Sequence, residues 1–112
     1  MSCPFFWPEH PDAVKQPARA PLGLFFTGRC TAGTDIADLE CCNFGYGRGK
    51  CANFPADAAG DAVRFNWDWL RGSLQYIIER DYSPVESDSA ERLVEGTPLA
   101  RQADVITAWL KR

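Results

Sequence analysis

The run VRFNWDWLRGSLQYIIE, residues 63–79, decides the fold. Val63, Phe65, Trp67 and Trp69 alternate with Arg64, Asn66 and Asp68, and a period of two puts the apolar set on one face of a half-buried strand. Leu70, Arg71, Gly72 and Ser73 supply a turn. Beyond it Leu74, Tyr76 and Ile78 alternate with Gln75, Ile77 and Glu79, so the run predicts a β-hairpin with one apolar face.

An apolar sheet face needs a cover, and the downstream sequence supplies one. Thr97-Pro98 pairs an N-cap hydroxyl with proline at the first helical position. Leu99, Ala103, Ile106 and Leu110 then recur at helical spacing, with Trp109 widening the stripe, so a terminal helix is expected across one face of the hairpin. Lys111 and Arg112 suit the negative end of its dipole. Between hairpin and helix, residues 81–89 read as a polar loop and residues 90–95 as a short third strand before a turn at Gly96.

The amino-terminal half differs in kind. Prolines at 4, 8, 11, 17 and 21 each fix φ and remove an N–H donor, which argues against a helix or a central strand and for an extended arm crossing the surface. Phe5, Phe6 and Trp7 anchor that arm, because three adjacent aromatics are costly to leave in water. Leu22, Leu24, Phe25 and Phe26 form a short apolar run leading through Thr27-Gly28 to Cys30. A short helix is expected from Thr34 as N-cap, with Asp35 and Asp38 near its positive end and Ile36, Leu39 and Cys42 on one face, stopping at Asn43. Glycines at 45, 47 and 49 then free the backbone to turn its N–H groups toward a neighbour. A small-residue linker, PADAAGDA, follows at residues 55–62.

These elements predict a small α+β protein: a two- or three-stranded antiparallel sheet with a C-terminal helix, and an irregular cysteine-rich half organised by metal. At 112 residues it is expected to be a single domain, with residues 1–56 as the cysteine-rich metal-binding half and residues 62–112 as hairpin sheet plus helix. A net charge of −3 leaves no footprint for nucleic acid or an anionic membrane, and neither is expected as a partner. No apolar run approaches the roughly 20 residues that span a bilayer, and the first residues lack the pattern of a signal peptide. A cytoplasmic setting is therefore expected. There, clustered thiols more often bind metal or do redox chemistry than form disulfides.

The cysteines are Cys3, Cys30, Cys41, Cys42 and Cys51, an odd number that a full set of disulfides cannot use. Four thiolates satisfy a tetrahedral ion or a four-iron cluster, gathered from several chain segments. Adjacent cysteines point in different directions, so one of Cys41 and Cys42 is the spare, and Cys42 directly precedes the glycine loop.

Cys3-Pro4-Phe5-Phe6, Gly28-Arg29-Cys30, CNFGYGRGKC at residues 42–51 with Phe54-Pro55 after it, and DAVRF at residues 61–65 together resemble a group of small bacterial proteins with no assigned activity. The resemblance covers about half of the chain through short motifs. It implies that the four aligned cysteines are Cys3, Cys30, Cys42 and Cys51, and that Cys41 is extra.

Zinc sites usually use C-x₂₋₄-C knuckles, and this chain has none. Glycine-rich backbone beside Cys42 and Cys51 can donate N–H bonds to sulfur, and the many aromatics can exclude water, two levers that tune cluster potential. A proline after a ligand cysteine, as in Cys3-Pro4, recurs in ferredoxins. A [4Fe-4S] cluster held by Cys3, Cys30, Cys42 and Cys51 for electron transfer is therefore expected ahead of zinc. Arg29, Arg48 and Lys50 flank these positions, where cations would keep sulfur ionised or stand as solvated loop charges.

Other signals carry less. His10, the lone histidine, sits between Glu9 and Pro11 in the proline-rich arm and reads as a surface residue. The GYGRG glycines lack a preceding strand or a following GKS/T, which argues against nucleotide binding. Trp67, Trp69 and Trp109 read as core, and Asp57, Asp61 and Asp68 have no spacing suited to paired acid–base work. Three functions follow: an electron carrier with a redox partner, a structural-zinc module binding another protein, or a thiol enzyme or redox sensor using Cys41 or a cysteine pair. The first two, an electron carrier or binding module, are favoured over an enzyme.

Overall fold

The computed structural model describes residues 2–11, 26–32, 42–43, 45, 54–55, 58 and 60–110. Along these the chain runs β1 (Phe6–Pro11), β2 (Phe26–Cys30), β3 (Ala62–Asp68), β4 (Ser73–Arg80), β5 (Ser83–Ser89), a 3-10 turn (Ala90–Arg92) and helix α1 (Pro98–Leu110). The strands make two antiparallel sheets, β1-β2 and β3-β4-β5. The protein is α+β.

The period-two pattern becomes the β3-β4 ladder. Val63 faces Ile78, Phe65 faces Tyr76 and Trp67 faces Leu74, so the apolar residues of both strands share one side. Helix α1 covers that side with Ala103 and Ile106, and these bury Val63, Phe65, Leu74 and Tyr76 into a common core. The loop between the strands closes through Asp68, whose Oδ1 accepts from Leu70 N (3.0 Å) and Arg71 N (3.2 Å), while Gly72 takes φ +63°. Trp69 therefore belongs to the hairpin tip and not to the apolar stripe. It is 87 % exposed beside a fully exposed Leu70.

The third strand is displaced from its expected place. Residues 83–89 form β5, and residues 90–92 make a 3-10 turn where a strand was expected. Asp81 and Tyr82 both have positive φ, +50° and +67°, the signature of a two-residue hairpin turn whose twist matches the strands it joins. Most of β5 is exposed at the sheet edge, so it has no apolar alternation to betray it. Pro84 and a register shift opposite Glu79 interrupt its outer edge, both of which discourage pairing with another chain.

The proline-bearing arm also contains a strand. In a two-stranded sheet both strands are edges, so Pro8 costs no ladder that a central strand would need, and the register shifts between Pro8 and His10. Gly28 lies opposite Pro8, and a Cβ there would run into the Trp7 carbonyl and come within 2.8 Å of the Phe6 ring. Phe6 is buried and Phe5 packs edge-on to Phe54, ring centroids 5.6 Å apart.

Helix α1 serves both sheets. Thr97 caps it by accepting from Ala100 N at 3.3 Å. One stripe, Ala103 and Ile106, faces the three-stranded sheet, whereas Val105 packs against the cluster of Cys3, Phe6, Phe26 and Cys42. Arg101 donates to the carbonyls of Pro8 (2.8 Å) and Glu9 (3.1 Å). The amino terminus joins the larger sheet directly, because Ser2 and Val63 exchange two main-chain bonds of 2.8 Å.

Candidate metal centre

Cys3, Cys30 and Cys42 are all buried thiols, brought inward from three remote parts of the chain. Cys41 and Cys51 lie outside the described residues, as do Arg48, Lys50, Asp57, the apolar run from Leu22 to Phe25, the glycines at 47 and 49, and the expected helix before Cys42. Each of the three described cysteines is positioned by a different device.

Cys3 sits just before β1. Its N–H donates to the Cys42 carbonyl at 2.8 Å, and its own carbonyl accepts from Phe6 N at 3.1 Å. The side-chain amide of Gln102, on helix α1, also donates to that carbonyl at 2.9 Å and to the Phe6 carbonyl at 2.9 Å. Ser2 Oγ completes the amide by donating to Gln102 Oε1 at 2.6 Å.

Cys42 and Asn43 are helical, and Asn43 fixes them to β2. Its Oδ1 accepts from Phe26 N at 2.8 Å and its Nδ2 donates to Phe26 O at 3.0 Å. A side-chain amide thus stands where a neighbouring strand would, satisfying both main-chain groups of a buried residue. Phe26 is thereby locked into the same cluster as Cys3, Phe6 and Cys42.

Cys30 ends β2, directly across from Phe6. The flanking bond from Thr31 N to Phe5 O (2.9 Å) makes Phe6–Cys30 a non-hydrogen-bonded pair, the kind in which facing side chains come closest. Ala32 N donates to Cys30 Sγ at 3.3 Å. A main-chain donor, Ala32 N, therefore reaches this sulfur.

Arg29, expected either to keep sulfur ionised or to stand as a solvated charge, is exposed. Strand alternation turns Arg29 to the face opposite Cys30, where its guanidinium lies over the Trp7 ring at 5.4 Å. Arg101 approaches the same ring at 6.0 Å. His10 is exposed on β1, facing Thr27.

Among the described residues no group of three His, Cys, Asp or Glu side chains is placed to hold a metal ion, and no helix is long and apolar enough to cross a membrane. Cys3 and Cys42 meet in one cluster, and Cys30 stands across the ladder from one of its rings, Phe6. Sequence reasoning missed Gln102 and Asn43. Gln102 carried a readable signal, since it falls between Leu99 and Ile106 on the apolar stripe where an amide must find buried partners. Protein-family models, curated proteins and solved structures contain no match to this chain.

Proposed function

We propose that this chain is a small four-cysteine metalloprotein holding a [4Fe-4S] cluster through Cys3, Cys30, Cys42 and Cys51, and that it carries one electron at a time between protein redox partners in the cytoplasm. The observation that carries the reading is the burial of Cys3 and Cys42 in a single aromatic cluster, with Cys3 N bonded to Cys42 O at 2.8 Å and Cys30 facing that cluster's Phe6.

A structural zinc ion needs its sulfurs about 3.8 Å apart, as Zn–S bonds of about 2.3 Å in a tetrahedron require. A four-iron cluster is a larger body than a zinc ion and would be held by Cys3, Cys30, Cys42 and Cys51 drawn from several chain segments. Ala32 N–H on Cys30 Sγ is the kind of contact that raises a cluster's potential, and the Phe6 and Phe26 rings keep water away. Held by Cys3, Cys30, Cys42 and Cys51, such a cluster would supply one-electron transfer between a reduced and an oxidised partner, with no bond to substrate made or broken.

Visible absorption of anaerobically purified protein, with iron, sulfide and zinc assays, tests this. A coloured protein with about four iron and four sulfide per chain is expected. A colourless protein with one zinc would replace the cluster by the structural-zinc reading. A metal-free protein with a readily alkylated Cys41 would replace both by thiol chemistry.

A further inference from the structure

The geometry points to Gln102 as the positioning residue of the cysteine centre, through which helix α1 and metal occupancy are coupled. This rests on the metal reading above. Gln102 is 2 % exposed, in the middle of a helix whose neighbouring stripe is Leu99, Ala103 and Ile106. An apolar side chain there would extend the stripe without desolvating an amide. The amide is instead spent wholly on the amino-terminal segment: both Nε2 protons go to the carbonyls of Cys3 and Phe6, and Oε1 takes the Ser2 hydroxyl.

Those two carbonyls are the ones that matter for the centre. With its N–H on Cys42 O and its carbonyl on Gln102, the Cys3 backbone is fixed on both sides, so only rotation about χ1 remains to place Sγ. Fixing the Phe6 carbonyl holds the residue that faces Cys30. One helix side chain therefore sets the frame for two cysteines, and Val105 packs onto the same cluster one turn further along. Coupling of this kind is reciprocal: a docked helix retains metal, and bound metal retains the helix.

The test uses the full chain and three variants. Gln102→Met removes all three bonds at similar volume, Gln102→Glu keeps the acceptor for Ser2 and loses the donors, and Ile106→Val loosens the helix against the other sheet without touching Cys3. Release of bound metal to excess EDTA is followed beside thermal melting. The Gln102 variants are expected to release metal about tenfold faster, as loss of an outer-sphere partner does, whereas Ile106→Val changes melting and leaves release near that of the parent. Equal release from Ile106→Val and Gln102→Met overturns the proposal.

In parallel, iodoacetamide labelling of the metal-free chain is read cysteine by cysteine. Selective acceleration at Cys3 in either Gln102 variant supports the positioning role, and unchanged or uniformly raised labelling overturns it. If the parent chain holds no metal, only the metal reading falls, and the labelling decides Gln102 by itself.

Discussion

Cys3 and Cys42 are joined through their main chains, Cys3 N donating to Cys42 O at 2.8 Å. The amino terminus is thereby tied to the turn that carries Asn43, and through Asn43 to β2. A core of this size is marginal, so a metal bridging such segments contributes to folding outright. Metal-free protein, or Cys42→Ser, is expected to lose cooperative unfolding in a thermal scan followed by near-ultraviolet circular dichroism. Unchanged melting after both treatments would refute the structural role of the centre.

Asn43 offers a sharper perturbation that leaves every cysteine in place. Asn43→Ala strips both main-chain groups of buried Phe26 of their partner. Leaving two buried polar groups unsatisfied costs about 2–6 kcal/mol. The urea midpoint should fall accordingly, and a shift below about 0.5 kcal/mol, the scale of an ordinary surface substitution, would show that water replaces the clamp.

Three glycines should respond in a fixed order. At Gly28 a Cβ meets the Trp7 carbonyl, backbone that cannot yield without breaking the β1-β2 ladder, so Gly28→Ala is expected to cost about 3 kcal/mol, the upper end for overpacking. At Gly60 the obstacle is Ile78 Cγ2, a side-chain methyl, and a cost of about 1–2 kcal/mol is expected. Gly72 has open space but φ +63°, and Ala there costs about 1 kcal/mol of backbone strain. Denaturant melts of the three variants check the ranking, which a costlier Gly72→Ala than Gly28→Ala would reverse.

What could be read from the chain divides along a physical line. The β3-β4 hairpin and the Thr97-Pro98 helix start were legible because burial on one face imprints a period on the sequence. β5 was not, because an exposed edge strand such as SPVESDS has little buried side to imprint, and its turn at Asp81-Tyr82 uses positive φ without glycine. β1 was hidden by its prolines, which are excluded from central strands but not from a two-stranded sheet. Cys3, Cys30 and Cys42, three of the ligands that the resemblance implies, are buried, but their supports were not legible. The partners of Gln102 and Asn43 lie far away in sequence, and only the tertiary fold names them.

Tyr76 makes stability depend on alkaline pH. Burial first, then its hydrogen bond to Glu86 (3.0 Å) and the nearby charges of Glu86 and Asp88, raise its pKa above the ordinary 10.0, with Arg92 opposing. An acid whose pKa is raised by folding favours the native state while it stays protonated. Its contribution is full below pH 10.0 and is lost as pH climbs through the raised native value. Urea midpoints should therefore hold up to about pH 10 and fall beyond it, and Tyr76→Phe should flatten that fall. An equally steep decline in the variant would assign it to other groups.

The most direct measurement is metal content across five single substitutions, Cys3→Ser, Cys30→Ser, Cys41→Ser, Cys42→Ser and Cys51→Ser, each purified anaerobically. Loss of metal in four of them, with Cys41→Ser retaining the parent's full complement, is the expected result. Loss in Cys41→Ser with retention in Cys42→Ser, or full retention in Cys3→Ser, would contradict the ligand set on which the account is built.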